Sequence, residues 1–434
     1  MLRLILVTLG CGAGGLWGMR AIVGAGCLLA WNDFFRPTAW ARYTGWMHPN
    51  VFPAHHFTYA VLLFAVFFTT WKKRWTGATF YLLVLIAWIW ICTAKAFHRE
   101  TAYLKAVEAT KYIVPAVIMS LALTTRRWQQ FFVYTLAYSV GAWMAHHGLL
   151  TLLRQAPEIN MAIPAGQMTD RNDFLVAGTG CLPLLIYVGW YYEGWYRKWV
   201  RLGTKAMVGL AVVCFFTSLS RGAVLGITSL LMFWSFMTGR FLKRMSVAVV
   251  LLVIGVALSP DFLWERMSTI EMGVEQDEAS AARRIGHMLT AIDVTLDYPI
   301  FGVGPSNYPL IAPAYNDTAS EPHSIWLKCS AEFGFTMLVF FVAIVARIVK
   351  QLLVVARSAR REKEKETEGM ATALACAIVG FLATGTFTSQ FLSEYLWSII
   401  AVSGAFLASE AVRTKAPKAT ADAEAPVLAG AAAE

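Results

Sequence analysis

Charged residues are scarce in this chain, since Asp, Glu, Lys and Arg make up only 15% of its 434 residues. Hydrophobic residues make up 57%, more than a water-soluble domain of this length can hide from solvent. The composition therefore argues against a soluble protein and predicts an all-α protein that crosses a membrane many times. At roughly 20 residues for each span plus connections, about 12 transmembrane helices fit.

Cysteine motifs are also missing. The seven cysteines all lie in apolar segments, and none forms a CxxC pair or stands at zinc-ligand spacing. We therefore expect small buried thiols, with neither a disulfide framework nor a zinc site.

A continuous basic stripe is absent too, despite a net charge of +10. The basic residues recur instead in short clusters between apolar runs, which is typical of cytoplasmic loops under the positive-inside rule. Nucleic-acid binding is thus a poor interpretation of the charge. The clusters are Lys72–Arg74, Arg126–Arg127, Arg197–Lys198, Arg240–Arg244 and Arg357–Lys365.

The apolar runs predict the organisation of the chain. Residues 2–32 form either one interrupted span, giving twelve spans and a cytoplasmic N-terminus, or two short spans, giving thirteen. The run from Leu2 to Gly18 has no small-residue cleavage site and is expected to be retained. The later predicted spans are 51–70, 78–95, 111–124, 129–150, 172–191, 204–219, 222–239, 245–259, 324–347, 370–389 and 395–411.

These spans divide the chain into four parts. Residues 1–259 form an N-terminal transmembrane bundle, and residues 260–323 form a large periplasmic loop. Residues 324–412 add the C-terminal spans, and residues 413–434 form a disordered cytoplasmic tail. The connection 96–110 is predicted to be a further outward-facing loop.

The large loop contains an amphipathic helix. In "AARRIGHMLTAIDVTLDYPI", apolar residues recur at helical spacing and make one stripe that could lie on the membrane or cap a cavity. The stripe residues are Ile285, Met288, Leu289, Ile292 and Leu296.

Several arginines lie on the outer side, where the positive-inside rule disfavours them. Arg221, in "TSLSRGAVLG", follows Ser220, a candidate N-cap, at the start of a span. A cation at a helix N-terminus opposes the helix dipole, but an anion held there would reverse that sign, so this start resembles a phosphate site. The alternative is that Arg221 reaches lipid headgroups. The other outward arginines are Arg154, Arg171, Arg283 and Arg284.

The segment "SEPHSIWLKCSAEFG" places a histidine at the mouth of an apolar run. We expect Ser320 to cap a helix with Pro322 in its first turn, so that His323 lies beside free N–H groups. The positive end of the dipole would favour a neutral imidazole, able to accept a proton. A purely structural histidine is the alternative. Gly334, almost directly beneath His323 on the helix, would admit a close neighbouring helix.

These residues resemble a family. "HSIWLKCSAEFG" is similar to the histidine signature of bacterial O-antigen ligases (WaaL), and "SLSRGA" and "RRIGHMLTAIDVTLDYPIFGVGPSNY" are similar to their Ser-Arg-Gly element and histidine loop. "WNDFFRP" and "DRNDF" are closer to the O-glycosylation ligases associated with exosortase systems. The resemblance implies a GT-C-like glycosyltransferase of the inner membrane, with its active site facing the periplasm.

The resemblance also implies the substrates and the site. The donor would be a glycan on undecaprenyl diphosphate, the acceptor lipid A-core, and the reaction inverting, with no metal or cofactor. His323 would be the general base, with Arg221 and Arg284 as the catalytic arginines. The candidate substrate-binding residues are Arg171, Arg283, Arg154, Ser220 and Ser324, and Ser324 stands where the family often has asparagine.

Four alternatives remain open. A polysaccharide polymerase or a protein O-oligosaccharyltransferase of the same superfamily would share the chemistry. A lipid-glycan transporter would instead place ionisable residues midway through its spans. The fourth reading, a structural component of an export machine, predicts no effect of changing His323.

Overall fold

The structure is a computed structural model that describes residues 2–40, 53–153, 168, 170–218, 221–238, 274–315 and 318–415. The predicted span 245–259, much of the loop before residue 274 and most of the predicted tail lie outside the described residues. So do the site candidates Arg154 and Ser220 and the side chain of Arg221.

All regular secondary structure in these described ranges is helical, which confirms the all-α class. The bundle begins with α1 (Leu2–Arg20), α2 (Ile22–Phe35), the single turn α3 (Pro37–Trp40), α4 (Ala54–Phe68), α5 (Gly77–Lys95), α6 (Arg99–Ala122), α7 (Arg126–Leu152), α8 (Arg171–Tyr191), α9 (Arg197–Thr217) and α10 (Arg221–Thr238). It continues with α11 (Val274–Asp297), the short α12 (Tyr308–Ile311) with a 3-10 turn (Ala312–Tyr315), α13 (Ile325–Arg361), α14 (Lys365–Gly385) and α15 (Glu394–Lys415).

Six of the described helices are long and apolar enough to cross a membrane, namely α5, α8, α9, α13, α14 and α15. Shorter apolar helices occur at Ile22–Phe35, Ala54–Phe68 and Gly222–Met237. The chain is thus a multi-pass membrane protein, while the predicted total of about 12 spans stays a prediction.

The first 32 residues form two helices rather than one interrupted helix. They run antiparallel, because the Cβ position of Gly14 lies 2.7 Å from Leu28 and that of Gly18 lies 3.1 Å from Ala25. The backbone turns at Ala21, which has an extended conformation. Whether residues 2–32 form one span or two stays a prediction.

Two helices extend beyond the predicted spans. Residues 99–110, expected within an outer loop, are the first turns of α6, because "RETAYLKAVEATK" is polar but rich in helix formers. The helix after His323 continues to Arg361, well past the predicted end at residue 347, because apolar residues keep their helical spacing between the added charges.

Ion pairs join the helices at the end predicted to be cytoplasmic. The Arg126 guanidinium lies 3.1 Å from the Glu410 carboxylate and 3.2 Å from Glu366. Arg413 pairs with Glu364 and with Glu410. Arg126 of α7 and Arg413 of α15 are thus held against the acidic start of α14.

Helix α13 is broken at Gly334, whose φ of 84° and ψ of 160° are not helical. Four backbone groups around the break form hydrogen bonds with partners outside the helix. The Phe335 N–H donates to the Pro299 carbonyl at 2.7 Å, and the Ala331 and Glu332 carbonyls accept from Val303 and Gly304. The Phe333 carbonyl accepts from the Trp88 indole N–H at 2.9 Å.

The prediction that a neighbouring helix packs closely against Gly334 is therefore wrong. A Cβ at this position would lie 2.1 Å from the Ile300 carbonyl oxygen. The close approach is made by the non-helical segment after α11, and not by a neighbouring helix. Gly334 is required both for its conformation and for this contact.

Replacing Gly334 by alanine should destabilise the protein by at least ~2 kcal/mol, because this conformation is essentially restricted to glycine and costs other residues about 1–3 kcal/mol. The clash with Ile300 adds to that cost. The measurement is the Tm of the purified protein in detergent. The control is Gly209→Ala in α9, where an added Cβ meets nothing within 4 Å. Equal Tm values for the two variants would contradict this account.

Candidate functional site

Several helix starts meet at one end of the bundle. The start of α10 contacts the end of α14, since the Cβ position of Gly222 lies 3.2 Å from Phe387. The start of α13 contacts the same end, since the Trp326 indole N–H donates to Thr386 at 3.0 Å. Helix N-termini carry partial positive charge, so this end of the bundle favours anions.

His323 lies at this end, but not inside a helix. Helix α13 begins at Ile325, with Ser324 as its N-cap in an extended conformation. The expected cap at Ser320 and first turn at Pro322 are therefore wrong, because the chain is still turning at His323, whose φ is 48°. Left-handed backbone is uncommon outside glycine, although histidine adopts it more readily than most residues.

The loop helix α11 packs beside this turn. The His287 and His323 rings lie 6.1 Å apart between centroids. The Tyr308 hydroxyl donates to the His287 backbone carbonyl at 2.8 Å, and the Thr295 and Ser330 hydroxyls lie 2.9 Å apart. These contacts fix α11 against the first turns of α13.

The environment lowers the pKa of His323. Burial contributes most, followed by the electrostatic effects of Arg284 and His287, while Glu321 and Asp170 act in the opposite direction. Burial disfavours the charged imidazolium, and neighbouring cations repel it. The lowered pKa therefore favours the neutral imidazole of His323, which is the form that can accept a proton.

Arg284 thus acts on His323 from α11, and its side chain is exposed, as is that of Arg283. Arg171 is the first residue of α8, next to the N-cap Asp170, whose carboxylate accepts from the Asn172 N–H at 2.7 Å. Arg221 is the first residue of α10. Three helices, α8, α10 and α11, therefore each place an arginine at the end of the bundle that holds His323.

A buried ion cluster beneath His323 was not identified from the sequence. The Lys328 ammonium lies 2.7 Å from Glu321 and 3.9 Å from Glu332, and the Glu332 side chain is fully buried. Lys328 also donates its backbone N–H to Ser324. The cluster thus clamps both sides of the turn that carries His323. The four-residue spacing of Lys328 and Glu332 in an apolar run was the available signal.

A second buried cluster joins α2, α4 and α15. The His55 ring lies 2.8 Å from the Asp33 carboxylate, which also accepts from Asn32 at 2.9 Å. Glu394, at the start of α15, hydrogen-bonds to Asp33. "WNDFF" was noted only for its resemblance, so these contacts were missed too. They hold the start of α15 against the first helical hairpin.

The comparisons with known proteins bear on this arrangement. A search of curated proteins gave no match. Residues 206–342 match a family model described as O-antigen ligase. The matched region includes Arg221, Arg284 and His323 and the packing of α11 on α13. The match covers about a third of the chain and shows that this part is similar to the O-antigen ligase family.

Proposed function

We propose that this protein is a ligase-type glycosyltransferase that moves a glycan from undecaprenyl diphosphate to a lipid A-core acceptor at the periplasmic face of the inner membrane. The observation that carries the proposal is the setting of His323. It is a half-buried histidine with a lowered pKa, clamped by Lys328 and facing the charge of Arg284. The family match supports the reaction class.

In this proposal His323 is the general base. It removes the proton from the acceptor hydroxyl as that oxygen forms a bond to the anomeric carbon of the donor sugar. The bond from that carbon to the diphosphate oxygen breaks, and the lipid diphosphate leaves with the electron pair. Attack opposite the leaving group inverts the anomeric centre.

The arginines stabilise the leaving group. Arg284 from α11 and Arg221 from the start of α10 offset the charge that grows on the diphosphate, a role that a divalent metal fills in other enzymes. Removal of one preorganised donor of this kind typically costs about 10²–10³ in rate. Arg171, Arg283 and Arg154 would contribute further charge, while Ser220 and Ser324 would offer hydroxyls to the donor.

Substitution of His323 by alanine should lower ligation by about 10²–10⁴, which is the usual contribution of general base catalysis. The assay reconstitutes the protein with a lipid-diphosphate glycan and lipid A-core. The control is His98→Ala, an exposed histidine that makes no side-chain cap at the start of α6. Wild-type ligation by the His323 variant would refute the assignment. Products that lengthen the donor glycan instead would identify a polymerase.

The pH dependence tests the pairing of Arg284 with His323. Because the pKa of His323 is lowered, kcat/KM should fall only when pH drops below the ordinary histidine value of about 6.5. Arg284→Gln removes a repelling cation, so the pKa should rise and the acidic limb should move to higher pH. The matched control is Arg99→Gln, which neutralises an exposed arginine on α6. An unmoved limb in the Arg284 variant would disprove the coupling.

Arg221→Lys keeps the charge at the start of α10 but loses the planar fork that binds two phosphate oxygens together. We expect strong loss of turnover with lysine, comparable to that of Arg221→Ala. Steady-state kinetics on the same donor measures both variants. If the lysine variant turned over like wild type, plain charge attraction would replace bidentate binding.

A further inference from the structure

Helix α11 has two apolar faces, and only one of them is packed. Its inner face, with Ala291 and Val294 fully buried, lies against Val303, Tyr308 and Ala331. Its outer face carries the stripe expected from the sequence. Met288 is partly buried, and the other four residues of the stripe are exposed, namely Ile285 (58%), Leu289 (57%), Ile292 (42%) and Leu296 (71%).

The stripe is narrow and straight. Steps of four, three and four residues at about 100° per residue keep all four side chains within roughly 60° of one another on the helix. The stripe is about 16 Å long at 1.5 Å per residue. Exposed apolar stripes of this kind mark contact surfaces on proteins.

The stripe continues onto the membrane-spanning part of the molecule. Beyond Leu296 comes Ile300, also exposed. Its neighbour Pro299 accepts the Phe335 N–H at 2.7 Å, and Phe335 and Val339 are exposed on α13. On the other side, the Tyr298 ring packs edge-on against the exposed Phe97, with centroids 5.0 Å apart. One apolar surface thus runs from α11 down the outside of the bundle.

The depth of that contact can be measured along α13. The first charge after Phe335 is Arg347, twelve residues later, and the intervening residues carry none. Twelve residues of helix span about 18 Å, less than the roughly 30 Å of a hydrocarbon core. With Arg347 near one boundary, Phe335 lies inside the apolar layer, and the stripe approaches the opposite boundary.

We propose that α11 lies in the membrane interface, with the stripe from Ile285 to Leu296 immersed in the lipid of the leaflet nearest His323. Bilayer lipid therefore covers the stripe, because the stripe joins the lipid-facing surface of α13. Asp293 and Asp297, exposed on the flank of the stripe, reach the headgroups and water.

One consequence rests on the proposed function. Arg284 lies one residue before the stripe, so immersion of α11 holds this arginine at the level of the headgroups. The diphosphate of a lipid-linked donor lies at the same level, because its chain is in the hydrocarbon. The donor would then reach the arginines and His323 without leaving the membrane.

Spin labels on the full-length protein in nanodiscs test the inference. Leu289→Cys and Leu296→Cys place a label in the stripe, and Asp293→Cys is the matched control on the flank of the same helix. The described native cysteines are all buried, and both leucines are exposed, so their replacement removes little packing. Collisions with oxygen, which partitions into lipid, are compared with those of a water-soluble nickel chelate.

The stripe labels should collide more with oxygen than with nickel, whereas the Asp293 label should show the reverse. Nickel collisions at Leu289 and Leu296 equal to those at Asp293 would overturn the proposal and place the stripe in water. Exclusion of both reagents would also overturn it, since protein would then cover the stripe. None of these outcomes requires turnover, so failure of the proposed reaction and failure of membrane immersion give different results.

Discussion

Backbone hydrogen bonding across the break in α13 is the constraint on which the arrangement of the site depends. Unpaired backbone groups within a bilayer cost several kcal/mol each, so a membrane helix can be interrupted only where other protein groups replace its partners. Here the segment around residues 299–304 supplies three of them and Trp88 the fourth. The same hydrogen bonds hold the segment that follows α11 against α13.

The turn at His323 is stabilised from below. A left-handed residue persists only where its surroundings over-determine it. Lys328 does this by binding Glu321 on the far side of the turn while its N–H bonds to Ser324. A lysine buried beside carboxylates is usually weak evidence for stability. Its value here is geometric, because it joins the two sides of the turn that carries His323.

Much of the helical architecture could be predicted from apolar runs and basic clusters, because a bilayer imposes both length and charge asymmetry. The predictions that were wrong or missing have physical reasons. Nothing in "AEFGFT" distinguishes a tolerated helical glycine from a break, because the deciding contact comes from Ile300, more than thirty residues upstream. The apolar stripe of α11 could be predicted from the sequence. The packed face of the same helix could not, because Ala291 has too little apolar surface to add to a hydrophobic pattern. The polar turn around Glu321 hid the true start of α13. The ion pair between Glu321 and Lys328 could be recognised only in three dimensions.

The break at Gly334 also has a consequence for biogenesis. Residues 299–304 precede α13 in the chain, so they emerge from the ribosome before the helix that they complete. The partners of Ala331, Glu332 and Phe335 are thus already synthesised when α13 enters the bilayer. With the opposite chain order, an interrupted helix would lie in lipid with unpaired carbonyls until its partners were synthesised, or it would insert as a straight helix and be broken later. The order of these segments in the chain, as well as their geometry, thus allows α13 to be interrupted within the membrane.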